Sequence, residues 1–447
     1  MSQLGFAEER VAFVRPTLTE IAAREPNGLT AASSFSGCGG SSLGLRMAGW
    51  KVPYAVEFVE SAADSYQANA STTFVDRRDI RRIEASEILD RLDLQPGELD
   101  LFEGSPPCAS FSAAGTGNKT RERQCDRCKG TGAIVADLLD GQGPSEDRIC
   151  DLCEGSGRLA GVAKSYSDAE EKQETHDLFW EWMRLLDGLR PRAFIAENVP
   201  GMLRGEAVEY AERIIADLGA LGYRVSWKVL QAQWYGTPQV RPRLIFMGLR
   251  RDVADHPPEL PGPTVDPPFT LGDALHSAES LHAPGEKDDV SMEGYAVGRL
   301  WRFITAARAE GREFDPRFVD CQRCGKSLPS HKVEKVAGDG SISKARCEDG
   351  EKADIVKDYF MLVVPKLDAP CPTVTATAAQ VGAASVCHPT ECRKFTATEL
   401  KAICGFPADF ELTGTPQQQR ERMGRAVPPP MYMECGRVLA EYLKGER

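Results

Sequence analysis

The feature that most constrains this chain is a repeated order of short apolar run, turn of small or acidic residues, and helical stretch. Leu29 to Phe35 reads as a strand running into the turn Ser36-Gly37-Cys38-Gly39-Gly40-Ser41, and Leu43 to Ala48 then reads as helix. Val52 to Phe58 predicts a second strand ending near Glu57, and Leu99 to Phe102 another ending in Glu103, Gly104 and Ser105. The rhythm continues with helices over Leu178 to Leu189 and Ala207 to Leu218, and with strands over Ala193 to Ala196, Val225 to Leu230 and Arg243 to Gly248. Strands alternating with helices build an α/β fold, here a doubly wound, mostly parallel sheet.

Two segments break the rhythm. Thr116 to Lys172 is rich in Gly, Asp, Arg and Cys and reads as an insertion, whereas Arg251 to Cys392 is rich in Pro and charge and reads as a smaller, irregular domain. The helix-like Ala397 to Cys404 and Pro430 to Leu443 then return to the first unit. The expected organisation is 30–250 with 116–172 inserted, 251–392 as a separate domain, and 393–447 as the return, which suits a chain of 447 residues. No apolar run approaches the roughly 18 residues a membrane span needs. Met1 to Arg10 carries charges where a signal peptide has an apolar core, so a cytoplasmic enzyme, acting as a monomer, is expected. The net charge of -12 counts against nucleic acid as a partner, yet Ser291 to Arg346 holds eleven Lys or Arg against seven Asp or Glu. An acidic scaffold can therefore present a basic face.

Chemistry-bearing residues gather at the strand ends. The turn from Phe35 to Ser41 allows close backbone approach to a nucleotide, with Glu57 placed to take ribose hydroxyls; by itself the turn is equally compatible with plain loop geometry. Gly104-Ser-Pro-Pro-Cys108 sets a cysteine between a rigid proline turn and a small-residue loop, which suits either a nucleophile or a buried structural thiol. Glu197-Asn198-Val199 ends a later strand and Gln239-Val-Arg-Pro-Arg243 begins the next. Each charge alone reads as a surface ion pair. Together, at successive strand ends, they put a thiol, an acid and the two guanidinium groups of Arg241 and Arg243 on one cleft.

This ordered set resembles the DNA cytosine-C5 methyltransferase family. Phe35 to Gly44 is similar to its first cofactor motif, Pro106-Pro-Cys108 to its nucleophile motif, Glu197-Asn-Val199 to its acid motif and Gln239 to Arg243 to its paired-arginine motif. Arg393 to Phe410, with Gly405-Phe-Pro407, resembles the penultimate motif, and Gly424-Arg-Ala-Val-Pro-Pro429 the last. The likeness covers about Thr30 to Gly248 and Pro370 to Leu443. It implies S-adenosylmethionine as cofactor, held by Phe35, Ser36, Gly37, Cys38, Gly39, Gly40, Glu57, Asp79 and Arg425, with double-stranded DNA as partner. It also implies catalysis by Cys108, Glu197, Arg241 and Arg243 on a cytosine flipped out of the duplex.

Two positions depart from the family pattern. Ala109 follows the nucleophile where the family has Gln, which removes a polar contact of the catalytic loop to DNA. Arg425 stands where the last motif has Asn, close in the family to the methionine part of the donor. A cation beside a sulfonium is unfavourable unless an anion compensates it. Arg425 therefore either pairs with a carboxylate on the transferred carbon, making carboxy-S-adenosylmethionine the donor and 5-carboxymethylcytosine the product, or turns outward to a phosphate or a local Asp.

The 14 cysteines point to metal, because disulfides are not the natural use in an intracellular chain. Cys125-x-x-Cys128-x-Gly-x-Gly132 and Cys150-x-x-Cys153-x-Gly-x-Gly157, with 21 residues between the pairs, fit tetrahedral structural zinc, with free loop thiols as the alternative. Their repeated glycines resemble the zinc modules of DnaJ-type chaperones. Cys321-x-x-Cys324 with Cys347, and with His331, Cys387 or Cys392 as fourth ligand, predicts a second zinc in the basic segment; unliganded thiols are again the alternative. Two other functions stay open at this level: RNA cytosine methylation, and a noncatalytic zinc-stabilised binding module.

Overall fold

The computed structural model describes residues 12–107, 178–205, 207–311, 362–382 and 385–447, together with the short strands 123–124, 133–134, 148–149, 158–159, 332–336 and 342–346. Seven strands form one sheet: β1 (Thr30–Ser34), β2 (Lys51–Val56), β3 (Phe74–Asp76), β4 (Leu101–Gly104), β5 (Ala193–Asn198), β6 (Tyr223–Gln231) and β7 (Pro242–Arg250). Their order is β6-β7-β5-β4-β1-β2-β3. β7 runs antiparallel to both β5 and β6, and the remaining neighbours are parallel. This is the doubly wound, mostly parallel sheet that the sequence predicts.

Side chains alternate across a strand, so adjacent residues enter opposite cores. Ala32, Phe102, Phe194 and Phe246 belong to one buried cluster, and their neighbours Ala31, Leu101, Ile195 and Ile245 to the other. The helices α3 (Ala85–Leu92), α4 (Leu178–Leu189) and α5 (Ala207–Ala220) supply the first cluster. Trp182 of α4 is its centre, stacked on Phe102 at 5.7 Å and edge-on to Phe194 at 5.6 Å. The second cluster is closed by α1 (Gly40–Met47) and by α10 (Pro429–Lys444), which lies nearly 400 residues away in sequence. Between these come α2 (Glu60–Ala68), α6 (Leu271–Ala278), α7 (Ala296–Ala309), α8 (Ala397–Ile403) and α9 (Pro416–Arg425).

The two ends of the chain meet because glycines let backbones touch. A Cβ added at Gly40 would lie 2.3 Å from the Val427 carbonyl oxygen, and one at Gly44 2.5 Å from that of Pro429. Helix α6, from within the irregular middle span, shares a third cluster with Cys38, Leu43, Ile403 and Phe406. A smaller cluster of Met292, Val297, Leu300, Leu362, Val364 and Cys387 joins other described parts of that span.

Parallel order has a functional consequence: β1, β2, β3, β4 and β5 all end at the same edge of the sheet. Antiparallel β7 begins there, with Ile245 opposite Glu197 and Leu244 opposite Asn198. No described helix is long and apolar enough to cross a membrane.

Candidate active site

The turn after β1 bends through left-handed backbone at Phe35 (φ 50°), Gly37 (54°) and Gly39 (94°). The Gly39 N–H donates to the Ser36 carbonyl at 2.8 Å and that of Ser36 to Val56 at 3.1 Å, which ties the turn to the end of β2. Glu57, one residue past β2, accepts from the Gly37 N–H at 2.7 Å and the Val59 N–H at 2.8 Å. Of the predicted cofactor residues, Glu57 thus meets those of the turn, and the turn residues divide into two kinds. Gly39 and Gly40 are packed against Tyr66 and Val427, whereas a Cβ at Gly37 would meet nothing within 4 Å. Cys38 is buried, and burial pushes its thiol up to about 12, which leaves it a packed thiol. Asp79 follows β3 and accepts from the backbone N–H and the guanidinium of Arg81, both at 3.0 Å.

Beside this turn the reacting end of the cleft is assembled from β4, β5 and β7. Glu197, buried at the end of β5, meets Nε of Arg243 at 2.6 Å. The side-chain amide of Asn198 donates to the Pro106 carbonyl at 3.1 Å, anchoring the proline turn two residues before Cys108. Cys108 itself lies outside the described residues.

Arg241 departs from its partner in the pair. It is 1% exposed, and its guanidinium donates to the carbonyls of Val374 at 2.8 Å and Gly424 at 2.9 Å. Burial lowers it to about 9, with the charge of Arg243 adding to the effect. This is a strut joining the segment before α8 to the end of α9. Arg241→Met should cost about 3 kcal/mol, since it strands two buried carbonyls, and the loss is measurable by denaturant unfolding. Arg425, the last residue of α9, is exposed.

The predicted zinc ligands Cys125, Cys128, Cys150, Cys153, Cys321, Cys324 and Cys347 lie outside the described residues, as does His331. Cys387 and Cys392 are described; their thiols face the carbonyls of Val363 at 3.4 Å and Gly298 at 3.6 Å. Among the described residues no three His, Cys, Asp or Glu side chains form a metal-holding group.

The sequence reading missed Glu103 as a site residue. It is fully buried in β4, accepting hydroxyl protons from Ser33, from Ser41 at 2.8 Å and from Tyr432 at 3.0 Å. Burial pushes its carboxyl up to about 7 against the pull of those three hydroxyls. The available signal was an acidic residue at the end of an otherwise apolar strand.

Comparison with known proteins agrees with this geometry. The pattern of the C-5 cytosine-specific DNA methylases matches residues 29–126 and 162–441. The chain is 26% identical over 412 residues to the type II methyltransferase M.Sau96I of Staphylococcus aureus, covering 92% of this chain and 75% of that one. It is 29% identical over 308 residues to M.FnuDI of Fusobacterium nucleatum, covering 67% and 72%. In fold it is similar to a prophage-encoded chain of Escherichia coli, with TM-score 0.53, 19% identity and coverage of 93% and 100%. The Entamoeba histolytica methyltransferase EhMeth gives TM-score 0.51 at 14% identity, with coverage of 95% and 99%. The matched pattern spans both halves of the α/β unit, and the chain belongs to the C-5 cytosine-specific DNA methylase family.

Proposed function

We propose that this chain transfers a methyl group from S-adenosylmethionine to C5 of a cytosine in double-stranded DNA. The observation that carries the reading is the Glu197 and Arg243 contact of 2.6 Å at the strand edge from which the Cys108 turn departs. The donor supplies a methyl carbon made electrophilic by its sulfonium. The turn fits such a group, being open at Gly37 and flanked by Ser36 and by Glu57, which accepts from the Gly37 N–H; Asp79, after β3, is proposed to join them. In this reading Phe35, Cys38, Gly39 and Gly40 frame the turn.

Cytosine C5 is a poor nucleophile in an intact aromatic ring. The Cys108 thiolate adds at C6, while Glu197 supplies a proton or hydrogen bond at N3 and the amino group, so electron density moves to C5. Arg243 holds Glu197 and the base in register. Once C5 carries the methyl group, loss of its proton expels the thiolate. A stacked base is out of reach of these groups, so the cytosine is flipped out at a cost of about a few kcal/mol. Arg241 keeps the backbone behind the site in place.

The test is product mass: full-length protein is incubated with donor and either duplex DNA or RNA of the same sequence. Methylcytosine in the DNA alone is expected; methylation of RNA alone would replace this reading with the RNA one. Relatives named type II methyltransferases favour a restriction-modification or phage setting in a bacterial cytoplasm.

A second donor is favoured by one observation. α9 carries exposed Arg425 and buried Arg422, and the charge of Arg422 acts on Cys38 of the cofactor turn. A cation acting on the cofactor turn, with Arg425 three residues on in the same helix, suits a carboxylate on the transferred carbon, hence carboxy-S-adenosylmethionine. With both donors offered, a carboxymethyl product supports this; methyl transfer undiminished by the carboxylated donor removes it.

The insertion is proposed to hold zinc. Strand 123–124 pairs with 158–159, and 133–134 with 148–149, so in sequence each CxxC segment lies between one strand of the first ladder and one of the second. Elemental analysis should find zinc bound, lost when Cys125 and Cys150 are both replaced by Ser.

A further inference from the structure

Glu103 is a fully buried carboxylate that reaches into the cofactor turn without belonging to any of the motifs named above. Four chain segments meet on it. Ser33 comes from β1, Ser41 from the first turn of α1 and Tyr432 from α10, while Glu103 itself sits on β4 five residues before Cys108. Ser33 Oγ also lies 2.7 Å from Ser36 Oγ, inside the turn. The charged groups acting on it are Glu197 of β5, a like charge, and through Glu197 its partner Arg243 of β7. Tyr66 of α2 and Cys435 of α10 are the other titratable groups nearby.

Hydroxyl directions follow from donor counting. An ionised carboxylate only accepts, so Ser33, Ser41 and Tyr432 all donate to it; Ser33 has then spent its proton, and Ser36 must donate to Ser33. A protonated Glu103 has one O–H to place. Of the three hydroxyls, that of Ser33 also faces Ser36, which is able to accept the proton it turns away. Glu103 then donates to Ser33 and Ser33 to Ser36, which frees the Ser36 O–H for an acceptor outside the network.

We propose that Glu103 is a positioning residue for the cofactor turn: through Ser33 it sets the direction of the Ser36 hydroxyl, so that proton uptake at Glu103 strengthens the hold on the donor's amino-acid carboxylate. The inference rests on the reading of residues 35–41 as the donor turn. A carboxyl held near neutrality by burial is suited to such a switch, since small pH changes alter its charge.

The experiment is calorimetric titration of the full chain with S-adenosylhomocysteine between pH 6 and pH 8.5, for the wild type, Glu103→Gln and Ser33→Ala. The wild-type Kd should rise about tenfold across this range, the worth of one charge-assisted hydrogen bond. Glu103→Gln, neutral at every pH, and Ser33→Ala, which cuts the relay while keeping the carboxyl, should both lose that step. A step retained in either variant that folds overturns the proposal and leaves the donor turn standing. No binding by the wild type at any pH overturns the donor turn and the proposal together. Infrared absorption of the unliganded wild type gives a readout free of ligand: a protonated carboxyl band should fade between pH 6 and 8, and its absence at pH 6 overturns the proposal.

Discussion

Replacing Glu197 by Gln is expected to lower the rate of transfer by about a thousandfold, with the fold retained. The carboxyl is proposed to protonate or hydrogen-bond the ring edge as Cys108 adds, and general acid catalysis of this kind is worth about 10² to 10⁴. Gln keeps the shape and one acceptor oxygen, so the Arg243 contact survives in weakened form. It cannot give a proton to N3. Single-turnover rates should therefore fall while donor affinity stays near wild type, because Glu197 pairs with Arg243 of β7 whereas the turn is held by Glu57 and Ser33. Equal loss of donor binding would mean that the acid supports the cofactor turn instead.

Replacing Cys108 by Ser is expected to have the larger effect, eliminating detectable transfer. A serine hydroxyl is almost wholly protonated at neutral pH, and without an adjacent base it is a far weaker nucleophile than a thiolate. With duplex DNA containing 5-fluorocytosine at the target, the wild type should form a covalent complex that survives denaturation. The final step requires loss of a proton from C5, and fluorine cannot leave in that way. Cys108→Ser should form no such complex, while still shifting the DNA in a gel, since phosphate contacts do not depend on the thiol.

The strands that carry the site were legible because each is an apolar run closed by small or acidic residues. β1, β2, β5 and β7 lie where the sequence places them, to within a few residues at the ends. Helix α9 was not legible, and its buried side explains why: Arg420, Arg422, Met423 and Gly424 give no apolar period. The three-residue β3 is too short to carry an alternation, and α2 buries Ser and Ala, whose contrast with the solvent face is slight.

The candidate site divides the same way. Glu197 and Arg243 meet as the motif order suggests, since antiparallel β7 starts beside the end of β5. Arg241 could not be told from Arg243 by sequence. The strand is interrupted between Val240 and Pro242, so the two guanidinium groups reach different partners, one a pair of carbonyls and the other a carboxylate. Glu103 was visible only as an acid at a strand end. Its partner Tyr432 is 329 residues away, and local patterning carries no trace of a contact at that separation.

The central claim is that a sulfur atom bonds transiently to a flipped cytosine and makes its C5 reactive. The most direct measurement is nucleoside mass spectrometry on DNA from cells expressing the full chain, set beside cells expressing Cys108→Ser. The account predicts cytosine carrying an added one-carbon-linked group in the first DNA and unmodified cytosine in the second. Unmodified cytosine in both, or equal modification in both, would contradict it.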